Sequence, residues 1–330
     1  MTKIMILGGA GFIGSHVVDL LHKNQSNQLF IFDDLSTGRH ENVRHLISEK
    51  YNTRIKFDML DVKKREHVDD AFSRFHPEVV ILLAAQAAIS VSERDPKFDA
   101  DTNIGGMLNV ISASRQFGAR RIVFSSTSAV YREKTWGKLK ESDFCEPKSP
   151  YGISKLASEH YLRTLFQESV VLRFGNVFGP RQAPIGDNQV IPRMIRHFKF
   201  GDDFKIFGDG KQTRDYVYVG DVAEAVECAM VGTPGTYNIA TGKRLSVNEV
   251  ARGIEELYEV PGYKWEHRAE NDPRRDICLD VRRANEFLGW KPRVSFTEGL
   301  KRTKDWLDNG GAKQEAPTMV KIPIAYEVVR

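Results

Sequence analysis

The chain has 330 residues, room for one large or two modest domains at roughly 100–200 residues each. Hydrophobic residues make up 41% and charged residues 28%, which excludes wholesale disorder, a collagen-like repeat and a coiled-coil rod. Lys and Arg number 48 against 44 Asp and Glu, a formal charge of +4 with the signs mixed, so no nucleic-acid partner is expected, while a small anionic ligand is compatible.

Lys3–Leu7 is a short apolar run that stops at glycine, and apolar residues then recur at helical spacing from Phe12 to Leu21. The chain therefore opens strand, turn, helix. Buried strands are predicted over Gln28–Asp33, Arg54–Asp58, Val79–Ala84, Arg121–Ser126 and Val170–Phe174, with helical patterns between most of them. That alternation predicts a doubly wound α/β domain with a parallel sheet, because right-handed crossovers lay a helix over each pair of strands. After Gly175 the alternation breaks. A loop-rich passage over Gly179–Gly186 and a helical pattern over Ile191–Phe200 open a second, smaller lobe. Asp221–Met230 reads as a helix and Thr236–Ile239 as a strand returning to the first sheet, before helices over Ser246–Tyr258 and Thr297–Leu307. The expected division is 1–175 for the sheet domain, with a returning segment near 216–242, and 176–330 mainly for the smaller α/β lobe. The tail after Asn309 carries no readable pattern.

Cys145, Cys228 and Cys278 lie far apart without metal-ligand spacing, so neither a disulfide framework nor a zinc site is expected, and a reducing cytoplasm fits. The longest strongly apolar run, Val79–Ala85, is well short of the roughly 18–20 residues needed to cross a bilayer, and no membrane association is expected.

Gly8, Gly11 and Gly14 stand at GxxGxxG spacing directly between the first strand and the first helix. Glycine there permits a tight turn and a close approach to pyrophosphate, while the amides opening the helix attract its charge. Asp33 ends the second strand about 20 residues later, where a carboxylate accepts from ribose hydroxyls and repels a 2′-phosphate, which favours NAD over NADP. Asp58 is placed to face adenine. Asp61 reads as the N-cap of the next helix.

Tyr151 and Lys155 begin a helical pattern four residues apart and so project from one face. A phenol is a poor base at neutral pH, but a lysine ammonium and a cationic nicotinamide would both stabilise its phenolate. The hydroxyls of Ser125, Ser126, Thr127 and Ser128 gather at the carboxyl end of the fifth strand, where α/β sheets bind ligands. Thr127 is the choice for holding a substrate hydroxyl, and Ser125 or Ser126 is expected to bond to backbone.

These pieces, with Asp33–Gly38, Leu83–Gln86, Asn103, Leu172–Gln182 and Ile206–Tyr216, resemble the extended short-chain dehydrogenase/reductase family over about residues 3–308. Within it they resemble the NAD-dependent nucleotide-sugar epimerases, especially the UDP-sugar 4-epimerases. The resemblance implies a Rossmann sheet with a nucleotide-sugar lobe, NAD as cofactor, a UDP-sugar substrate, and a homodimer formed through Asp99–Phe117 and Pro150–Phe166. It implies Thr127, Tyr151 and Lys155 as catalytic residues. NAD contacts would come from Gly8, Gly11, Phe12, Ile13, Gly14, Asp33, Ser36, Thr37, Gly38, Asp58, Met59, Leu83, Ala84, Ala85 and Asn103, besides Tyr151 and Lys155. Substrate contacts would come from Thr127, Asn176, Val190, Phe207, Arg214 and Arg274, with Arg268 and Arg275 as alternatives to Arg274 on the diphosphate.

Departures from the pattern narrow the chemistry. Related dehydratases place an Asp-Glu pair after the catalytic threonine and related decarboxylases a glutamate, whereas this chain has Ser128 and Ala129, which favours epimerisation. Arg132 replaces a usual glycine. A tyrosine shortly before Asp280 would exclude an N-acetyl group at the sugar C2; here Ile277-Cys278-Leu279 stand instead, with Ile277 or Cys278 as the gate. UDP-glucose/UDP-galactose and the N-acetylated pair are the expected substrates, with UDP-glucuronate, another nucleotide-sugar oxidoreduction or a non-catalytic NAD-binding role as alternatives.

Overall fold

The apolar runs fold as the strands they predict: β1 (Thr2–Leu7), β2 (Asn27–Asp33), β3 (Ile55–Met59), β4 (Val79–Leu82), β5 (Arg121–Thr127) and β6 (Ser169–Phe174). Four short strands follow, β7 (Asn176–Phe178), β8 (Ile206–Phe207), β9 (Thr213–Arg214) and β10 (Tyr216–Tyr218). Then come β11 (Gly235–Ile239), β12 (Leu245–Ser246) and β13 (His267–Arg268). This is a computed structural model, and it describes residues 1–47, 54–132, 137–183, 189–268 and 276–311.

Seven strands form one parallel sheet in the order β11-β6-β5-β4-β1-β2-β3. Successive side chains leave a strand on opposite faces. Ile4 and Ile6 accordingly pack with Leu29, Ile31 and Val123 on one side, and Met5 and Leu7 with Phe30, Phe32 and Phe124 on the other. Both faces are covered, which is why these strands read as continuous apolar runs rather than alternating ones. The strand order reverses between β1 and β4, so the loops at their carboxyl ends diverge and leave a crevice for a ligand.

The chain leaves this sheet after β6 and returns to it. The helix Val219–Ala229 packs on the first helix, Phe12–His22, and β11 then pairs with β6 in parallel. Between these elements lies a separate core of Phe178, Ile191, Met194, Tyr216, Val250 and Leu300. Among the described residues no helix is long and apolar enough to cross a membrane. The three cysteines are unpaired.

One local expectation is corrected. Asp61 is not a helix N-cap: the helix is Arg65–Phe75, preceded by Lys64, and Asp61 Oδ1 instead accepts the Lys63 amide at 2.9 Å. Val62 is buried in the sheet core, so the chain turns at Asp61 to seat it before the helix begins. The segment around Asp99 to Phe117 combines regular helix with a wider turn. It runs as Pro96–Ala100, a π-helical turn over Asp101–Gly105, and Gly106–Gln116. The wider turn carries Asn103 inward.

Asp215, wholly buried between β9 and β10, clasps the segments that close over the sheet's carboxyl edge. It accepts from the Thr241 amide (2.8 Å) and hydroxyl (2.6 Å), the Gly242 amide (2.9 Å) and the Leu279 amide (3.1 Å). Asp215→Ala leaves these donors in a dry site at about 1–3 kcal/mol each. The expected loss is about 3 kcal/mol or more in urea denaturation, and a loss below about 1 kcal/mol would show the clasp to be dispensable.

Candidate active site

The carbonyl of Leu7, at the end of β1, accepts from the amides of both Leu83 and Ala84 at 2.8 Å, drawing the loop after β4 across the glycine turn. Gly8 has φ +82°, and an added β-carbon would stand 2.5 Å from the Ala84 nitrogen. At Gly14 it would stand 2.0 Å from the Gly8 carbonyl oxygen. Neither position has space for a side chain. Gly11 precedes the first helix without any side-chain cap. The helix's first amides are thus left for an anion to satisfy. The side chains of Phe12 and Ile13 pack into the core, so what these two residues offer a ligand is backbone.

Asp33 is buried beside this turn, Oδ2 accepting the Ala10 amide and Oδ1 the Leu35 amide, both at 2.9 Å. Burial pushes its carboxyl up to about 6, against the lowering effect of the Leu35, Ala10 and Gly11 amides. Above that pH it is an anion with lone pairs to spare for a hydroxyl. Gly38 closes against it, for a β-carbon there would lie 2.5 Å from Asp33 Oδ1. Ser36 gives its hydroxyl to Asp34 (2.6 Å), and Thr37 is exposed beside it. Met59, opposite Asp33 in the β2–β3 register, leaves 64% of its surface exposed, a bare thioether suited to cover by a flat base. Asp58 pairs with Arg74 at 2.8 Å on the exposed edge.

These features fit a dinucleotide: a cradle too tight for any β-carbon, uncapped helix amides, and a buried carboxylate with an exposed apolar residue beyond it. Asn103 has a different surrounding. Its Oδ1 accepts the Gln86 amide (3.0 Å), and its Nδ2 lies 3.0 Å from the Gln86 carbonyl, 3.1 Å from Asp99 Oδ1 and 3.0 Å from Ser154 Oγ. It braces the loop that continues from Ala85 against the helix bearing Tyr151.

That helix, Pro150–Leu165, starts with Ser149 accepting the Gly152 amide at 3.2 Å and Pro150 in its first turn. A β-carbon on Gly152 would meet the Ala129 carbonyl oxygen at 2.7 Å, so glycine is what lets the helix start press against the turn after β5. Tyr151 is thereby brought beside Thr127, whose hydroxyl favours the ionised phenol. Burial raises the phenol to about 12, opposed by Thr127 and assisted by Asp99. Lys155 is buried, its Nζ 4.5 Å from the centroid of the Phe124 ring. Burial draws its ammonium down to about 7, opposed by Asp99 and Glu159. The protein alone therefore makes Tyr151 a weaker acid than expected, because desolvation outweighs the nearby hydroxyl.

Ser125 bonds to backbone as expected, donating to the Leu82 carbonyl at 3.1 Å. Ser126 instead donates to buried Glu159, whose oxygens also receive Arg173 Nε at 2.9 Å and Nη2 at 2.6 Å. Sequence reasoning missed Glu159 and Arg173. The available signal was the helical stripe Tyr151, Lys155, Glu159, which continues the i, i+4 spacing by one more turn.

The smaller lobe faces this edge. β10 pairs with β7 so that Tyr216 lies opposite Asn176, and Arg214 is two residues upstream, half-buried. β8 pairs with β13, and the guanidinium of Arg268 lies 6.0 Å from the centroid of the partly exposed Phe207 ring. Val190 opens the helix Val190–Phe200 and packs against the lobe's core. Arg274 and Arg275 lie outside the described residues. A small cleft is lined by Ser128, Ala129, Tyr131, Arg132, Lys148, Ser149 and Ile277 among others. Cys278 is buried behind it.

Residues 4–240 match the model of the NAD dependent epimerase/dehydratase family. The chain is 37% identical to the UDP-glucose 4-epimerase of Thermotoga maritima, whose structure contains UDP-glucose, with a TM-score of 0.86 over 93% of this chain and 99% of that one. It is 35% identical to the UDP-glucose 4-epimerase of Thermus thermophilus in complex with NAD, with a TM-score of 0.85 over 94% and 100% of the chains. It is 30% identical to the UDP-N-acetylglucosamine 4-epimerase of Methanobrevibacter ruminantium, in complex with UDP-N-acetylmuramic acid, with a TM-score of 0.85 over 93% and 98%. The cradle at Gly8–Gly14, the Asp33 carboxylate and the Tyr151–Lys155 helix are thus those of a chain that belongs to the NAD dependent epimerase/dehydratase family.

Proposed function

We propose that this chain interconverts UDP-hexoses epimeric at C4, with UDP-glucose/UDP-galactose and the N-acetylated pair as substrates. The observation carrying the proposal is Tyr151 set beside Thr127 at the carboxyl end of β5, with no acidic side chain in the turn that follows. NAD, when bound in the cradle, supplies a reversible acceptor for the C4 hydride. Thr127 orients the substrate 4-hydroxyl, and Tyr151 takes its proton as the bond to hydrogen at C4 breaks, leaving a 4-keto sugar. Ser128 and Ala129 offer no carboxylate for removing water or carbon dioxide, so the keto sugar is reduced again on its other face. Arg214 and Asn176 would hold the diphosphate, with Phe207 near the base, while the sugar turns over.

Incubation of purified protein with a panel of UDP-hexoses, without added cofactor, tests this reading. Interconversion at C4 is expected, and no change in any substrate overturns it. A second reading, UDP-glucuronate as substrate, is favoured by Arg132 and Lys148 on the cleft wall, both drawn toward Glu146 at 3.3 and 3.7 Å. The same panel separates the two. Tyr151→Phe is expected to keep fold and NAD while losing at least about a hundredfold in rate, the usual contribution of a general base. Near-native turnover would place the base elsewhere.

Ile277 lines the cleft whereas Cys278 is buried and does not, which supports Ile277 as the gate at the sugar's C2. Turnover of UDP-N-acetylglucosamine as well as UDP-glucose is expected, and Ile277→Tyr should suppress the N-acetyl substrate selectively. Wild-type turnover of UDP-glucose without any of UDP-N-acetylglucosamine would defeat this pocket assignment.

We also propose a homodimer in a reducing cytoplasm. Ile153, Tyr161 and Leu165 form an exposed apolar stripe on the helix that carries Tyr151, a surface that a second copy would cover. Sedimentation equilibrium is expected to read twice the chain mass, and a monomeric active species would reject the dimer.

A further inference from the structure

Asp99 is 1% exposed, on the short helix Pro96–Ala100 that packs against the helix of Tyr151 and Lys155. Its Oδ1 accepts Gln86 Nε2 at 2.8 Å and lies 3.1 Å from Asn103 Nδ2. Its Oδ2 is buried and has no hydrogen-bond partner among the described residues. A buried carboxylate half-served in this way needs a cation nearby. Lys155, 2% exposed, is a buried cation on the helix packed against that of Asp99, and Asn103 Nδ2 bridges Asp99 Oδ1 to Ser154, the residue before Lys155.

The other charges around Lys155 are accounted for. Glu159, one turn along the same helix, is neutralised by Arg173, which it holds by two hydrogen bonds. Lys97 and Asp101, beside Asp99 on its own segment, pair with each other at the exposed surface. Tyr151 is the remaining titratable group, on Lys155's own helix. Of the two carboxylates that favour the Lys155 charge, Asp99 has the larger effect.

We infer that Asp99 is a positioning residue of the active site, a buried counter-charge that favours the ammonium form of Lys155. The inference rests on reading Tyr151 and Lys155 as the catalytic pair. Burial draws Lys155 down to about 7 even with Asp99 and Glu159 acting against it, so without Asp99 a smaller share of molecules would carry the ammonium that can stabilise a phenolate. Asp99 acts in the other direction. It also disfavours a charged Tyr151, so its use to catalysis lies in the lysine.

A direct measurement is the titration of Lys155 by carbon-13 NMR in the lysine-labelled holoenzyme, its resonance assigned with Lys155→Arg. Asp99→Asn is expected to lower the midpoint by about one unit or more, the scale of an opposite charge at close range. A midpoint within about 0.3 unit of the parent in a folded variant overturns the inference. No substrate is turned over, so the result is separate from the fate of the 4-epimerase reading. The second measurement is a thermal-melting cycle of Asp99→Asn, Lys155→Met and both together. The double variant is expected to melt higher than either single variant, because each single change strands one buried charge. Additive losses overturn the pair. Should Asp99→Asn alone fail to fold, folding of the double variant supports the pair, and failure of both reduces Asp99 to an anchor for Gln86 and Asn103.

Discussion

The buried ion pair between Glu159 and Arg173 fixes the geometry on which the site depends, because it bolts the Pro150–Leu165 helix to β6. Ser126 on β5 shares the same carboxylate, so one glutamate ties the helix to two adjacent strands. Lys155 and Tyr151 lie one and two turns before Glu159 on that face, and their places over Phe124 and Thr127 follow from the same attachment. Such a pair adds little net stability over an apolar contact of equal volume, since desolvation offsets much of its Coulomb attraction. Its contribution is directional. Two hydrogen bonds from a planar guanidinium fix the helix's rotation and its height along the strand, which a greasy contact leaves free.

The cofactor side is constrained by crowding rather than by charge. At Gly8 and Gly14 the backbone of β1, the first helix and the loop after β4 come within distances that exclude any side chain. This closeness follows from the sheet order, since β1 and β4 are neighbours and the Leu83 and Ala84 amides both bond to the Leu7 carbonyl. Asn103 and Gln86 then carry the rigidity of this loop to Ser154, next to Lys155. The two halves of the site are thereby linked by hydrogen bonds that a ligand need not supply.

Strands covered on both faces announce themselves as apolar runs, and the glycines, Asp33, Tyr151 and Lys155 were legible because their spacing is local and tied to a strand end or a helix turn. Glu159, Arg173, Asp99 and Asp215 were not. A charged residue in a sequence reads as solvated surface, and nothing local distinguishes the exceptions whose partners arrive from elsewhere in the chain. Glu159 meets its arginine 14 residues away and Asp215 meets Leu279 64 residues away, separations at which no periodicity operates. Asp61 was misread for a related reason: it stands where a cap would, but burial of Val62 sets the helix start further along. The burial that separates Ile277 from Cys278 likewise cannot be read from three apolar letters.

The buried charges divide the molecule by task. On the catalytic side, Glu159 and Asp99 each face a cation and hold a helix whose side chains must not move during proton transfer. Asp215 instead gathers four hydrogen bonds from the chain segments at Thr241, Gly242 and Leu279. Ile277 lies two residues before Leu279 in the last of these segments, on the cleft wall. A wall held by hydrogen bonds to backbone keeps its shape whichever side chain occupies position 277. Under the proposed function, a helix locked by the Glu159–Arg173 pair and a cleft wall locked through its main chain would allow sugar specificity to change at one side chain while the proton-transfer geometry stays in place.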